Sequence, residues 1–394
     1  MKRAWTGQQP QLRPLTGYLG GNTRVTHYRG LKPLIIIVDT VGHANNQVTI
    51  EAGGSSLTVD WGDGNQYTYP NGVWSYTYEE PGEYTIIIYG GTLFSLGNIS
   101  GGIGDNPDNA KKLKEIVSFG DYELKRLAIG QHTDGLILPK TLPASVTSLS
   151  RVLDSSVNIS PNITYWDTSH VTNFSYAFTQ SDLSDSSYVD ITGWNTSSAT
   201  HLHYMFRLCE DFNQDISHWD VSKVQNMSHL FSVTKFNYDI GGWDVSSVTD
   251  MSSLFYGTNF SYDLNEWDVS SVQQITYIFG DSTFNGNISG WNISSMTNLI
   301  GMFYNNTAFN GDITGWDVSS TTHMFNMFNG ASAFNRDIGN WDVSNVISMN
   351  NMFNNATVFN QDLTGWDVAH IETEPTNFST NSALIEENKP LWGQ

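Results

Sequence analysis

The chain has 394 residues, with 39 acidic against 18 basic side chains, a formal net charge of −21 and a single cysteine, Cys209. This balance argues against nucleic acid as a partner, because phosphate contacts need Lys and Arg. One cysteine excludes an intrachain disulfide, and no apolar run reaches membrane-spanning length, so membrane insertion is not expected.

Residues 1–30 hold Lys2, Arg3, Arg13, Arg24 and Arg29 and no acid. They contain no apolar run of signal-peptide length, so a Sec route is not expected. Rich in Gly, Pro and Gln, the arm has little core of its own. It is expected to stay disordered or to dock on a large assembly, with Arg3, Trp5, Arg13 and Tyr18 as the docking candidates.

Residues 31–100 change character. KPLIIIVDTV, QVTIEA, SSLTVDWGDG and EYTIIIYG read as short strands with Gly and Pro punctuation, which predicts a β-sandwich. WGDG at Trp61–Gly64, followed by YTYEEPGEYTI at Tyr76–Ile86, resembles the PKD-type immunoglobulin-like domain. That resemblance implies a core Trp61 and a structural Asp63–Gly64 turn. Residues 101–160 read as degenerate leucine-rich units that cap the near end of a repeat stack.

Residues 161–370 are repeats. Trp166, Trp194, Trp219, Trp243, Trp267, Trp291, Trp316, Trp341 and Trp366 mark their register, at spacings of 24 or 25 from Trp194 onward. A fixed period in this range predicts a solenoid. The unit is F-N-x-D-I-x-x-W-D-V-S-x-V-x-x-M-x-x-M-F. Its I-x-x-W-D-V part has leucine-rich-repeat strand spacing. Its V-x-x-M-x-x-M-F part places apolar residues on one side of a helical or 3₁₀ turn. The fold class is therefore mainly β with short helical turns, an Ig-like sandwich followed by a leucine-rich-repeat-like solenoid. Residues 371–394 are expected to cap the far end, with a short helix over 382–388.

Three polar columns accompany the repeat. Asn213 and its equivalents are expected to form a buried ladder. The Asp two residues on, Asp215 and its equivalents, reads as a turn acceptor or a surface charge. The Asp after Trp (Asp220, Asp244, Asp268, Asp317, Asp342) reads as a cap for the adjoining Ser-x-Val turn, with Asn195 and Asn292 keeping the acceptor. The other reading is a carboxylate row for cations or a basic partner; Ca²⁺ is compatible with it but not predicted.

The repeats resemble the BspA-type leucine-rich repeat of bacterial surface proteins. That resemblance implies secretion or surface anchoring and adhesion. No nucleophile elbow, phosphate loop or H-E-x-x-H motif is present, so no enzyme activity is expected. His201 and His203 sit two apart without a third metal ligand. Cys209 reads as a core residue. If the repeats bind a ligand, the residues left free by the core are His218, Glu266, Asn340 and the Asp column on one part of the unit. On the turn part they are Tyr204, Tyr256, Tyr277 and Tyr304. The expectation is a virion-surface recognition protein, a fibre, tail or head-decoration component. Its arm would dock on the particle and its repeats on a host cell-surface protein or polysaccharide. The alternatives are a bacterial cell-surface or extracellular adhesin and a purely structural brace.

Overall fold

The computed structural model describes residues 32–97, 112–130, 135–157, 161–183 and 189–394, and the backbone of two strands ahead of them. It is mainly β. Eleven strands and two 3₁₀ turns, Pro161–Tyr165 and Glu386–Asn388, make up the regular elements among the described residues. The basic arm carries a hairpin where no fold of its own was expected: β1 (Leu15–Leu19) runs antiparallel to β2 (Thr23–His27).

Nine strands form two open sheets. β3 (Leu34–Asp39), β5 (Leu57–Asp60), β6 (Gln66–Tyr69), β8 (Glu83–Tyr89) and β10 (Leu113–Ser118) lie in the order β10-β3-β8-β5-β6. β4 (Gln47–Ser55), β7 (Gly72–Thr77), β9 (Thr92–Leu96) and β11 (Arg126–Leu127) lie in the order β11-β9-β4-β7. Alternation builds the core between them: Leu34, Ile36 and Val38 point inward from β3, and Val48, Ile50 and Ala52 from β4. Trp61 is fully buried. Its indole N–H donates to Tyr69 Oη at 3.2 Å and its ring stacks on Tyr76 at 4.8 Å. Gly62 comes next at φ +82°, where a Cβ would lie 2.5 Å from the Thr85 carbonyl, so the turn requires glycine. Asp63 Oδ1 accepts the Asn65 N–H at 3.0 Å and Gly64 has φ +97°, so Trp61 is a core residue and Asp63–Gly64 a structural turn, as expected.

The boundary at residue 100 moves. β10 and β11 fall in the segment read as degenerate repeats, yet β10 pairs with β3 and β11 with β9. Arg126 then bridges Ser148, with Leu127 N–H donating to the Ser148 carbonyl at 3.0 Å. One hydrogen-bonded ladder thus runs from the four-stranded sheet into the repeats.

Within the repeats, parallel bridges join Ser148, Asn173, His201, Asn226, Asp250 and Gln274 in series, and Asn298, His323 and Ser348 in another. These residues precede the Met position, so the recurring inter-coil pairing lies in the V-x-x-M part, with only single backbone bonds such as Leu264 N–H to the Asn287 carbonyl at I-x-x-W-D-V. The latter is a β-turn instead: Trp219 N–H donates to the Ile216 carbonyl at 3.0 Å. Beyond the bridge, the N–H groups of Met227, His229, Phe231 and Val233 donate to the carbonyls of Asp250, Ser252, Leu254 and Tyr256 in the next coil. Between them, Leu230 bonds back to Met227 and Ser232 to His229. His229 and Val233 have φ of +55° and +57°, which stops a helix from propagating. The expected helical turn is therefore a string of i→i+3 turns whose alternate N–H groups face the neighbouring coil.

Side chains repeat this logic. Phe206, Phe231, Phe255, Phe279, Phe303, Phe328 and Phe353 stack at 5.6 to 6.2 Å. Each packs within 4.4 Å of a second column, as Phe255 does on Phe260. Trp is required rather than Phe at its column because its indole N–H donates to a backbone carbonyl of the preceding coil, Trp267 to Ile240 at 3.0 Å and Trp366 to Ile338 at 3.0 Å. The stack also runs further than residue 370. Asn351, Phe353 and Asn355 donate to the carbonyls of Thr376, Phe378 and Thr380, so residues 376–381 supply the ladder half of one more coil. The helix expected over 382–388 shrinks to the Glu386–Asn388 3₁₀ turn.

Candidate recognition surface

In the Trp half of each coil the polar side chains are used locally. Asp220, Asp244, Asp268, Asp317 and Asp342 are exposed, and each accepts the N–H two residues on at 3.0 to 3.1 Å. Hydrogen bonds from Ser222, Ser270, Ser319 and Ser344 hold the carboxyls of Asp220, Asp268, Asp317 and Asp342 below the usual range. Asn195 and Asn292 make the same bond without charge. Asp215, Asp312 and Asp362 cap their own turns in the same way. The geometry is that of a turn acceptor in both columns.

The Asn column forms the expected ladder: Asn285 Oδ1 accepts from Asn310 N, Asn310 Oδ1 from Asn335 N, and Asn335 Oδ1 from Asn360 N, at 2.8 to 3.1 Å. The ladder is not buried, however; Asn213, Asn285, Asn335 and Asn360 are exposed. The remaining candidates of this half, His218, Glu266 and Asn340, are exposed as well, with His218 Nε2 2.7 Å from the Thr192 carbonyl.

The other half is different. The residue two after Met is left-handed in coil after coil: Arg151, Tyr176, Tyr204, His229, Ser253, Tyr277, Gly301, Asn326, Asn351 and Asn377 all have φ between +53° and +62°. Asn and Gly suit this conformation; large side chains do so at a cost of about 1 kcal/mol or more. The later coils keep to the preference and the earlier ones break it. Where they break it the side chains form a ladder. The Arg151 guanidinium lies 4.2 Å over Tyr176, Tyr176 stacks on Tyr204 at 4.6 Å, and Tyr204 on His229 at 4.4 Å. His203 meets Tyr176 edge-on at 5.4 Å, and Arg207 lies 5.7 Å from the Tyr204 ring.

Both faces of Tyr204 are thereby covered, so only its edge and hydroxyl are open to a ligand. Nδ1 of His203 and of His229 is buried without a hydrogen-bond partner. Burial lowers both pKa values, helped by His201 and Arg207 respectively and opposed in each case by Asp250. Tyr256, Tyr277 and Tyr304 form a second, half-buried group. Tyr256 donates to Asp281, which together with burial pushes its pKa up to about 12. Tyr277 lies over Gly301, where a Cβ would come within 2.2 Å of the ring, and meets Tyr304 edge-on at 5.7 Å.

Sequence reasoning found Tyr204, Tyr256, Tyr277 and Tyr304, weighed His203 only as a metal ligand, and missed Arg151, Tyr176, Arg207 and His229. The available signal was the column itself: Gly and Asn at its later positions mark a left-handed site, against which Tyr and His stand out. The Asp candidates and the Tyr candidates occupy different halves of the coil and make no contact with one another. Of the docking candidates, Arg3, Trp5 and Arg13 lie outside the described residues, and Tyr18 is opposite Arg24 in the hairpin. Cys209 is buried, its thiol pushed up to about 12, which fits a core residue. Among the described residues no group of three or more His, Cys, Asp or Glu could hold a metal ion. In the same residues no helix is long and apolar enough to cross a membrane.

Coils joined by a parallel backbone ladder, with a tryptophan column donating from each coil to the one before it, define a β-repeat protein. The family model described as "Mycoplasma protein of unknown function, DUF285" matches four overlapping segments, residues 142–232, 181–285, 232–314 and 280–390, and the chain belongs to that family. No curated protein and no solved structure matches the chain significantly.

Proposed function

We propose that this is a non-enzymatic surface-recognition protein that binds its ligand through the ladder half of its coils. In this reading the two sheets are an Ig-type sandwich and the coils a leucine-rich-repeat-like solenoid. The chain serves as a virion fibre, tail or head-decoration component, with its basic arm attached to a larger assembly. Family membership and the BspA-type resemblance support surface association. One observation carries the binding site: Arg151, Tyr176, Tyr204 and His229 hold left-handed positions that the later coils give to Gly and Asn. Strain kept over four coils, where a cheaper residue is used elsewhere in the same chain, points to a role beyond folding. Arg151 is exposed there, and Tyr176, Tyr204, Arg207 and His229 are half-buried, a set of guanidiniums and aromatic rings that suits a hydroxyl-rich polysaccharide or a polar protein surface.

The test replaces Tyr176, Tyr204 and His229 together by Asn and measures binding of the full chain to a glycan array and to intact candidate host cells. Asn is the residue this column prefers, so the variant should fold at least as stably while losing most of its binding. Unchanged binding would overturn the ladder-half reading. A bacterial cell-surface adhesin of the BspA type is the alternative setting for the same surface. A chain that binds neither glycans nor cells but is needed for assembly would be a structural brace.

A further inference from the structure

We propose that the far end of the coil stack is a docking site for the N-terminal hairpin of a second copy of this chain. In each preceding coil, alternate N–H groups are met by carbonyls of the next one: Asn326, Phe328 and Gly330 by Asn350, Met352 and Asn354, and Asn351, Phe353 and Asn355 by Thr376, Phe378 and Thr380. The equivalent donors of the last coil are the N–H groups of Asn377, Ser379 and Asn381, and they have no acceptor among the described residues. Asn377 and Asn381 are left-handed, at φ +53° and +58°, so the three N–H groups keep the alternating arrangement that draws acceptors elsewhere in the stack. Asn377 and Ser379 line an open recess of about 410 Å³ with Thr380 and Lys389. Ile385 and Leu391, 48% and 63% exposed, sit on the same terminal segment. Such an edge is a template for an incoming strand.

Three features point to the occupant. The hairpin β1–β2 is a two-stranded sheet that pairs with no other strand among the described residues. A lone hairpin is marginal in water and gains from a third partner that offers complementary donors. Charge is matched as well. The arm that carries the hairpin, residues 1–30, has five basic residues and no acid, with Arg24 in β2 itself, whereas residues 371–394 carry Glu372, Glu374, Glu386 and Glu387 against Lys389 alone. The other end of the stack is not available for this purpose, because Ser148 of the first coil already accepts from Leu127 of β11. The contact is therefore head-to-tail, and heterologous contacts of this kind extend into rings or filaments. This docking rests on the arm's role in the function proposed above and does not depend on the ligand of the coils.

The test follows the mass of the full chain by sedimentation and mass photometry across concentration and salt. Self-association is expected, weakening as salt rises. The double substitutions Arg13→Glu/Arg24→Glu and Glu372→Lys/Glu387→Lys should each weaken it by about tenfold, and mixing the two variants should restore it. Amide hydrogen exchange in residues 377–381 should slow on association. A chain that stays monomeric at all concentrations overturns the proposal, as does association that ignores charge reversal at the terminal coil. A chain that binds cells yet stays monomeric at all concentrations would sink this inference while leaving the recognition reading intact.

Discussion

The two halves of each coil solve the same problem in opposite ways. In the Trp half, turns are closed by side chains: Asp220 caps Ser222, Asp268 caps Ser270, and the Trp indole reaches one coil back. Each position is therefore tied to one residue type. In the ladder half the backbone makes the inter-coil bonds, through donors such as Met227, His229 and Phe231. Asn173, Asn226, Asp250 and Asn298 still cap turns there, but the left-handed column three residues on is not tied to one residue type and runs from Arg through Tyr, His and Ser to Gly and Asn. Variation collects where main chain carries stability, and that is where a recognition surface can be written without unmaking the fold.

Substitutions can break this contrast. Trp267→Ala in a central coil should have the largest effect, about 3–5 kcal/mol in urea unfolding, since it leaves a cavity and removes the inter-coil hydrogen bond to the Ile240 carbonyl, which keeps only its bond from Trp243 N–H. Trp267→Phe should still lose about 0.5–1.5 kcal/mol, which isolates the missing donor. If Trp267→Phe were neutral, the tryptophan column would be serving packing alone.

In the ladder half, Gly301→Ala should cost about 1–2 kcal/mol, because its Cβ would collide with the Tyr277 ring. Thermal unfolding would read the loss, and Tyr277→Ala in the same chain should relieve part of it. Relief fails if the strain lies in the backbone rather than in the ring contact.

Acid should act next. Burial holds the His203 and His229 pKa values below the ordinary 6.5, so the unfolded chain takes up protons first. Stability from these groups is intact above pH 6.5 and is lost as pH falls from there towards their folded values. His203→Ser with His229→Asn, residues found in other coils at the same columns, should flatten the fall in Tm between pH 7 and pH 5 by about 2 °C. An unchanged pH profile would mean that both imidazoles protonate in place.

The smallest effect belongs to the Asp column. Asp268→Asn should change stability by less than about 0.5 kcal/mol, because Asn292 already makes the same bond one coil on. Asp268→Ala should cost about 1 kcal/mol through the lost acceptor. Equal losses in the two variants would show that the charge matters rather than the hydrogen bond.

Much of this was legible in the chain. The Trp spacing announced stacked units, Asn195 and Asn292 announced that the Asp column needs an acceptor, and Trp61 with its Gly-Asp-Gly turn announced a structural motif. The error over which part of the unit pairs between coils has a simple cause. Apolar residues at I-x-x-W-D-V and at V-x-x-M-x-x-M-F both face the core, and periodicity reports the inward direction of a side chain but not the partner of its backbone. The boundary at residue 100 failed for a related reason: β10 and β11 lie in a segment with repeat-like leucines, yet their N–H groups find β3 and β9.

By itself the sequence determined the period, the composition of the core columns and the local turn caps, because these depend on neighbours within a few residues or on strict repetition. The tertiary structure alone decided the stacking of Arg151, Tyr176, Tyr204 and His229, the continuity of sheet and ladder, and the unmet donors of the last coil. Each of these rests on backbone conformation or on contacts between residues about 25 positions apart, and a side-chain pattern does not encode which carbonyl an N–H will meet.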